Sequence, residues 1–484
     1  MPMLDTANED QNPNTDANPE ELERAFWAMH QASRQGPAPG FERRMGHVQA
    51  IEHMLMKHKK DWLAAVSSDF DGRSEHETLL TEFLVVMNAV KHTRKHLRDW
   101  MRARRRNPGL LFQPGRARVF YQPLGVIGII GPWNYPIQLT LLPLLGALSA
   151  GNRVMLKPSE FTPKTSALLA DLVSKYFNPQ EVFVSTGGAE LAANFSRLPF
   201  DHLFFTSSTS IGQKVMAAAA QNLTPVTLEL GGKSPAIIHE QFNLDTAAER
   251  IVRGKLINSG QTCIAPDYVM VPQRHQEAFV QAIQAQVAKM YPSYVNNPDY
   301  TSIISQRHRD RLERLVTDAR EAGTEVIEVN PSGEAFDGNT RKLPLRLLIN
   351  PSDDLEVMRD EIFGPVLPIK TYDQLDDAIR YVNDHPRPLA LYLFSDNDKV
   401  QERVLEQTVS GGVTINDTLL HCAVEDLPFG GVGPSGMGRY HGEDSFKVFS
   451  HEKGVYFQTK VNGGVLASPP FGGAVEALLK IFVR

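Results

Sequence analysis

The chain opens on a polar stretch and only then settles into a regular alternation of apolar and polar positions. Residues 1–19 are rich in Asn, Asp and Pro, too polar to offset their own ordering entropy, and read as a disordered tail. After Asn18 and Pro19, Leu22, Phe26 and Met29 recur at helical spacing until Gly36, which predicts a helix with a glycine stop. A second helical pattern runs over 42–65. A third opens at Ser74, where Ser-x-x-Glu with Glu77 reads as a capping box, and carries Leu80, Phe83, Leu84 and Met87 on one face. Three helices thus precede the first strand, and the basic run RARRR at 102–106 reads as a solvated helix end.

From residue 117 the texture changes. ARVFYQPLG predicts a partly exposed strand, and the unbroken apolar run Val126–Ile130 predicts one buried on both faces of a parallel sheet. A helical stretch then reaches Ala150, followed by the strand RVMLKPSE, a helix to Tyr176, the strands EVFVST and DHLFFTSS, and a helix from about Ile211 to Ala220. This βαβαβ order predicts an α/β, doubly wound sheet with its ligand at the carboxyl ends of the strands. The alternation resumes with SPAIIHE, a long helix near 273–290 and DAIRYVNDH, and no short-period repeat is present.

Length and charge narrow the picture. A chain of 484 residues is longer than one core usually serves, which predicts two lobes. A formal net charge of −6 supplies no positive field for nucleic acid. With two cysteines, Cys263 and Cys422, at most one intrachain disulfide is possible, so a reducing compartment and a cytoplasmic location are expected. The acidic, polar start lacks the order of a secretory signal, and PIQLTLLPLLGALSAG is too short to span a bilayer and is broken by proline, so it reads as a buried helix.

Cys263 lies in GQTCIAPDY, where Gly260 and Pro266 make a loop; a loop thiol is either a displayed nucleophile or an inert buried sulfur. Cys422 has no activating neighbour in sequence. Glu229 follows the apolar VTL and precedes Gly231 and Gly232, where the backbone can bend to bring a carboxylate to a ligand; the competing reading pairs it with Lys233. Partial burial would raise its pKa toward neutrality. Asn134 before Tyr135 and Pro136 is either a side chain aimed into a cleft or an Asx turn. His421 is either a core histidine or a pocket group, and no His/Cys/Asp cluster has metal-ligand spacing, so no metal is expected.

Six motifs in register set these residues in company: GPWNYP at 131–136, LKPSE at 156–160, LELGGKSP at 228–235, GQTC at 260–263, EIFGPVLP at 361–368 and LPFGGVGPSGMG at 427–438. Their order resembles the aldehyde dehydrogenase family over most of the chain. TPVTLELGGKSP, CIAPDY and SGMGRYHGEDSFKVFSH resemble the class 3 branch and, within it, the bacterial coniferyl aldehyde dehydrogenases.

The resemblance implies a Rossmann-like doubly wound cofactor domain, a second α/β catalytic domain and a small β oligomerisation ribbon. The implied boundaries are 20–107 and 124–229 for the cofactor lobe, 230–435 for the catalytic lobe, 108–123 and 436–460 for the ribbon, and 461–484 for a C-terminal tail. It implies Cys263 as nucleophile, Glu229 as the base for water, and the Asn134 amide with the Cys263 N–H as oxyanion donors. It also implies Ile130, Gly131, Pro132, Trp133, Lys157, Ser159, Glu160, Ser208, Gly212, Leu230, Gly231, Glu361 and Phe363 as cofactor residues. A carboxylate at Glu160 favours NAD, with NADP open because Lys157 is near; Ser207 stands where relatives carry the first glycine of the phosphate turn. The implied activity is NAD(P)-dependent oxidation of an aldehyde to its acid without CoA or phosphate as acceptor. The substrate is aromatic or cinnamyl-type; the alternatives are a medium-chain fatty aldehyde or a cysteine esterase without redox chemistry. A homodimer is implied, with no nucleic acid partner. The C-terminal AVEALLKIFVR is expected to pack on the protein itself, with weak peripheral membrane contact as the alternative.

Overall fold

The computed structural model describes residues 19–336, 338, 340–460 and 468–483, so the expected tail falls almost wholly outside the described residues. Three sheets organise the chain. A six-stranded sheet runs in the order Gly436–Met437, Val226–Glu229, His202–Thr206, Val126–Ile130, Arg153–Lys157, Val182–Val184, and only its first pair is antiparallel. The run read as buried on both faces is so: every residue of Val126–Ile130 is buried. The chain leaves this strand toward Arg153–Lys157 on one side and returns to His202–Thr206 on the other, which makes a topological switch point where a ligand crevice forms at the carboxyl ends.

A seven-stranded sheet forms the second lobe, in the order Glu325–Val329, Leu345–Ile349, Val366–Tyr372, Tyr268–Pro272, Pro235–Ile238, Ala390–Phe394, Gly412–Ile415. Again only the first pair is antiparallel. The segment 230–234 joins the carboxyl end of Val226–Glu229 to the amino end of Pro235–Ile238, so one lobe's ligand edge faces the other's strand starts.

The third sheet pairs Arg104–Arg106, Arg116–Pro123 and Ser450–Phe457, all antiparallel. The basic run is therefore in part a strand, not a helix end, because its backbone finds partners in Ala117, Arg118 and Val119 that lie beyond the reach of local pattern. The ribbon begins at Arg104 rather than 108, and Gly436–Met437, placed with the ribbon by sequence, pairs with Val226–Glu229 in the cofactor sheet.

The helices depart from sequence expectation in four places. The pattern over 42–65 is two helices, Phe41–Lys57 and Lys59–Phe70, broken at His58. The helix begun at Ser74 contains a π turn, Leu79–Phe83, before Leu84–Trp100. That turn shifts the face by one position, so Phe83 is buried while Leu80 and Leu84 are exposed. A helix Ala189–Ser196, short and unmarked by strong periodicity, lies between the strands at Val182–Val184 and His202–Thr206.

The fourth is the C-terminal helix Gly473–Phe482, which buries no residue. Its apolar side chains, including Leu479, Ile481 and Phe482, are exposed, so it does not pack on its own chain as expected. Ending the chain before Gly473 is expected to leave the thermal midpoint within about 2 °C, since the helix Gly473–Phe482 buries none of its residues. Calorimetry checks this, and a fall of several degrees would show that the helix is held by something.

Candidate active site

Glu229 ends its strand beside Thr206 and Gly436 with its side chain pointed into the interior, 3% exposed. Neither carboxyl oxygen has a hydrogen-bond partner. Burial holds its pKa well above the ordinary 4.5. The competing pairing with Lys233 does not form: Lys233 Nζ donates to Asp267 Oδ2 at 2.5 Å and to the carbonyls of Val357 and Asp360 at 2.8 and 3.1 Å. Gly231 and Gly232 follow, yet neither takes a positive φ. Gly231 is needed for close approach instead, because a Cβ there would occupy the space of the Glu361 carboxyl.

The loop before Cys263 is fixed from several sides. Asn258 and Ser259 take left-handed φ of 51° and 52°, and Gly260 follows at 77° against the Gly364 carbonyl. Gln261 Nε2 donates to the carbonyls of Asn258 and Ser302, each at 3.0 Å, and its Oε1 accepts from Ile304 N–H at 2.9 Å. Cys263 is partly exposed. Its thiol is pushed up by burial first, then by Glu361, Cys422 and Glu229, while its own N–H favours the anion. Glu229, Glu361 and Cys263 therefore share one neighbourhood. Asn134 reaches the Cys263 loop from the cofactor lobe: its Nδ2 donates to the Gln261 carbonyl at 3.1 Å, which leaves a second amide hydrogen for a ligand.

The residues expected to hold the cofactor gather at the carboxyl edge of the six-stranded sheet. Ile130 pairs in register with Lys157, and Gly131 N–H donates to the Lys157 carbonyl at 3.0 Å. Lys157 is buried and donates to Glu160 Oε2 at 2.7 Å, and Ser159 Oγ accepts from Phe161 N–H at 3.2 Å. Trp133, next to Pro132, meets the Phe363 ring edge-on at 5.3 Å, and Phe363 sits at φ 55°. Ser208 caps the helix Thr209–Ala220 without a side-chain cap bond, which leaves the first amides available to an anion. Gly212 faces Leu230 at 2.6 Å from a would-be Cβ, so its small size serves helix packing rather than the open end of the helix.

Glu361 is half-buried, accepts from Gly232 N–H, and is pushed up to about 8 by the desolvation of its carboxyl and then by Asp267. Its Oε1 has no hydrogen-bond partner, a buried acceptor suited to a ribose hydroxyl. A free helix N-terminus, an acid beside a buried lysine and an orphaned carboxyl oxygen together fit a dinucleotide. His421 is a core ring bonded to Thr414 through Nδ1 at 2.8 Å, and burial pushes the Cys422 thiol up to about 12. Among the described residues no group of His, Cys, Asp and Glu could hold a metal ion. Sequence reasoning passed over Arg73, Glu82 and Asn258, none of which stands in one of the six motifs, and gave no role to Gln261, which lies in GQTC.

The aldehyde dehydrogenase family profile matches residues 7–455. The chain is 48% identical over 465 residues, 96% of its length and 97% of the relative's, to a probable coniferyl aldehyde dehydrogenase of Pseudomonas aeruginosa. Its fold is similar to that of Staphylococcus aureus AldH in a substrate-bound state, with a TM-score of 0.90 at 36% identity over 95% of this chain and 99% of that one. It is also similar to a Mycobacterium tuberculosis aldehyde dehydrogenase complexed with NAD+, with a TM-score of 0.82 at 26% identity and 92% of each chain covered. With a partly exposed thiol and a buried carboxyl set beside a dinucleotide crevice, and these likenesses over almost its full length, the chain belongs to the aldehyde dehydrogenase family.

Proposed function

We propose that the chain oxidises an aromatic or cinnamyl-type aldehyde, of the coniferyl aldehyde kind, to its carboxylic acid with NAD(P) through a covalent intermediate on Cys263. The Cys263 sulfur, as thiolate, adds to the carbonyl carbon, and the Asn134 amide and Cys263 N–H receive the oxyanion. Bound at the crevice, the nicotinamide cofactor supplies the acceptor for the hydride that leaves that carbon. The oxyanion re-forms the carbonyl as a thioester; Glu229 then takes a proton from water, which adds to the thioester, and the C–S bond breaks to release the acid. Lys157, Ser159 and Glu160 read the adenosine side, Ile130, Gly131, Pro132, Trp133, Ser208, Gly212, Leu230 and Gly231 shape the crevice, and Glu361 and Phe363 hold the nicotinamide end.

The observation that carries this reading is an unpartnered, buried Glu229 in the same neighbourhood as Cys263. The substrate class rests on the likeness to a probable coniferyl aldehyde dehydrogenase. Ser450–Phe457 is an eight-residue edge strand with no partner on its outer side among the described residues, which supports a homodimer built on the ribbon. The lobes keep the boundaries given by sequence, with the two ribbon adjustments above, and the location proposed is cytoplasmic. Among the described residues no helix is long and apolar enough to cross a membrane.

A steady-state comparison of coniferyl aldehyde, benzaldehyde and hexanal with NAD and with NADP tests the proposal. The expected result is a kcat/KM for the conjugated aldehydes at least about tenfold above hexanal. Preference for hexanal would select the fatty aldehyde reading. Aryl ester hydrolysis without aldehyde-dependent NADH formation would select the esterase.

A further inference from the structure

The capping box expected at Ser74 is half built. Ser74 Oγ accepts from Glu77 N–H at 3.2 Å, but the Glu77 carboxylate does not return the bond to Ser74. It accepts instead from Asn258 N–H at 3.2 Å to each oxygen and from Thr301 Oγ1 at 2.5 Å, while Ser74 N–H turns to Thr301 Oγ1 at 3.4 Å. A side chain placed to cap its own helix thus grips the loop that carries Cys263, at the left-handed residue where that loop turns.

One turn on, the π bulge brings Glu82 into the interior. Its Oε2 accepts from the N–H groups of Ile137 and Gln138 at 2.6 and 3.1 Å, and its Oε1 lies 3.5 Å from Arg73 Nη2, with both side chains fully buried. Arg73 Nη1 donates to the Asn134 carbonyl at 2.8 Å, and the same oxygen accepts from Asn258 Nδ2 at 3.0 Å. The guanidinium also lies over the rings of Phe70 and Tyr135 at 4.8 and 4.9 Å, and Tyr135 Oη bonds Thr262 Oγ1 at 2.6 Å. Two carboxyls and one guanidinium therefore bracket the peptide of Asn134 on one side and Asn258 on the other. Taking such charges out of water costs several kcal/mol per ion, so well-packed apolar residues could hold the helix as firmly. What apolar groups could not do is fix the hydrogen-bonded placement of two loops from different lobes.

We propose that Arg73, Glu77 and Glu82 are positioning residues that set the Asn134 amide and the Cys263 loop around the aldehyde oxygen, and so govern the steps that place negative charge on that oxygen. This rests on the Cys263 reading above. Arg73 and Glu82 fix the segment 134–138, Glu77 fixes 258, and Asn258 ties the two together through the Asn134 carbonyl.

The test is single-turnover NADH formation with full-length enzyme in excess over aldehyde and saturating NAD, in Arg73→Gln, Arg73→Lys, Glu77→Gln and Glu82→Gln. The rate constant is expected to fall about 10- to 100-fold in the Gln variants, as for a displacement of about 1 Å in a reacting geometry. The NAD Kd stays within about twofold of wild type, while hydrolysis of pre-formed acyl-enzyme slows as well, because its tetrahedral intermediate carries the oxyanion in the same place. Arg73→Lys keeps the charge without the fork and is expected to regain part of the rate. If Arg73→Gln does not fold, Glu77→Gln decides by the same readout. A lowered thermal midpoint with a wild-type single-turnover rate overturns the proposal, as does hydrolysis of pre-formed acyl-enzyme left at the wild-type rate. NADH formation retained in Cys263→Ala removes the reading the frame serves and the proposal with it, whereas wild-type rates in the frame variants remove the frame alone.

Discussion

Cys263→Ala is expected to lower kcat for aldehyde oxidation by about 10⁴-fold or more, as loss of a covalent nucleophile does elsewhere, with folding and NAD(P) binding kept. The fold survives because the loop is held by other atoms: the Gln261 side chain bonds Asn258, Ser302 and Ile304, and the Asn258 amide bonds the Asn134 carbonyl. Removing one sulfur leaves all of these in place. The rate does not survive, because an aldehyde carbon releases hydride only once a nucleophile has made it tetrahedral. A thiol raised by burial is ordinarily inert. Here Glu361, Cys422 and Glu229 add to the elevation, so the thiolate that adds to the aldehyde is the minor form of the side chain and its share grows as pH rises. Rapid quench at low pH followed by peptide mass spectrometry should place the acyl group on Cys263. An adduct on Cys422, or wild-type turnover in the variant, would sink the assignment.

The alternation of strand and helix from Val126 to Ala220 was legible, apart from the helix Ala189–Ser196, because the strands Val126–Ile130, Arg153–Lys157 and His202–Thr206 carry apolar runs buried at nearly every position. Glu229, Cys263 and Asn134 could be singled out because each stands in a motif that resembles the family's. The chemistry of Glu229 was only half legible: sequence gave a carboxylate beside Lys233, and only the fold sends Lys233 away to Asp267 and leaves the acid alone. Arg73 and Glu82 were opaque, since a π turn leaves no strong local signal and their partners at 134, 137 and 138 lie far along the chain. The short strand Arg104–Arg106 was opaque for the same reason, its hydrogen bonds being made to residues 117–119. The C-terminal helix misled in the other direction: its amphipathic pattern is real, but periodicity says that a face is apolar, not what covers it.

Glu229→Gln separates the two halves of the reaction. The amide keeps the shape of the carboxyl, and because neither Glu229 oxygen accepts a hydrogen bond, no bond is broken by the change. Addition and hydride transfer need no base at this position, so about one equivalent of NADH should appear rapidly per active site. Water then meets the thioester unaided, and steady turnover is expected to slow by about 10²- to 10⁴-fold. Stopped-flow progress curves distinguish this from a smooth curve at the wild-type rate, which would remove Glu229 from the hydrolytic step. The pH profile follows from the same burial. The base acts only when ionised, and its pKa is raised, so wild-type turnover should climb with rising pH and fall as pH drops through that raised value. The Gln variant should lack this limb. Stability runs the opposite way, because an acid whose pKa is raised in the fold but ordinary when unfolded loses stability as pH rises past 4.5. The Gln variant should therefore unfold at a higher temperature than wild type at about pH 8, and the gap should close toward about pH 4. A midpoint difference that stays constant between those conditions would mean that the Glu229 carboxyl is ionised in the folded enzyme, and would return it to the role of a paired surface charge.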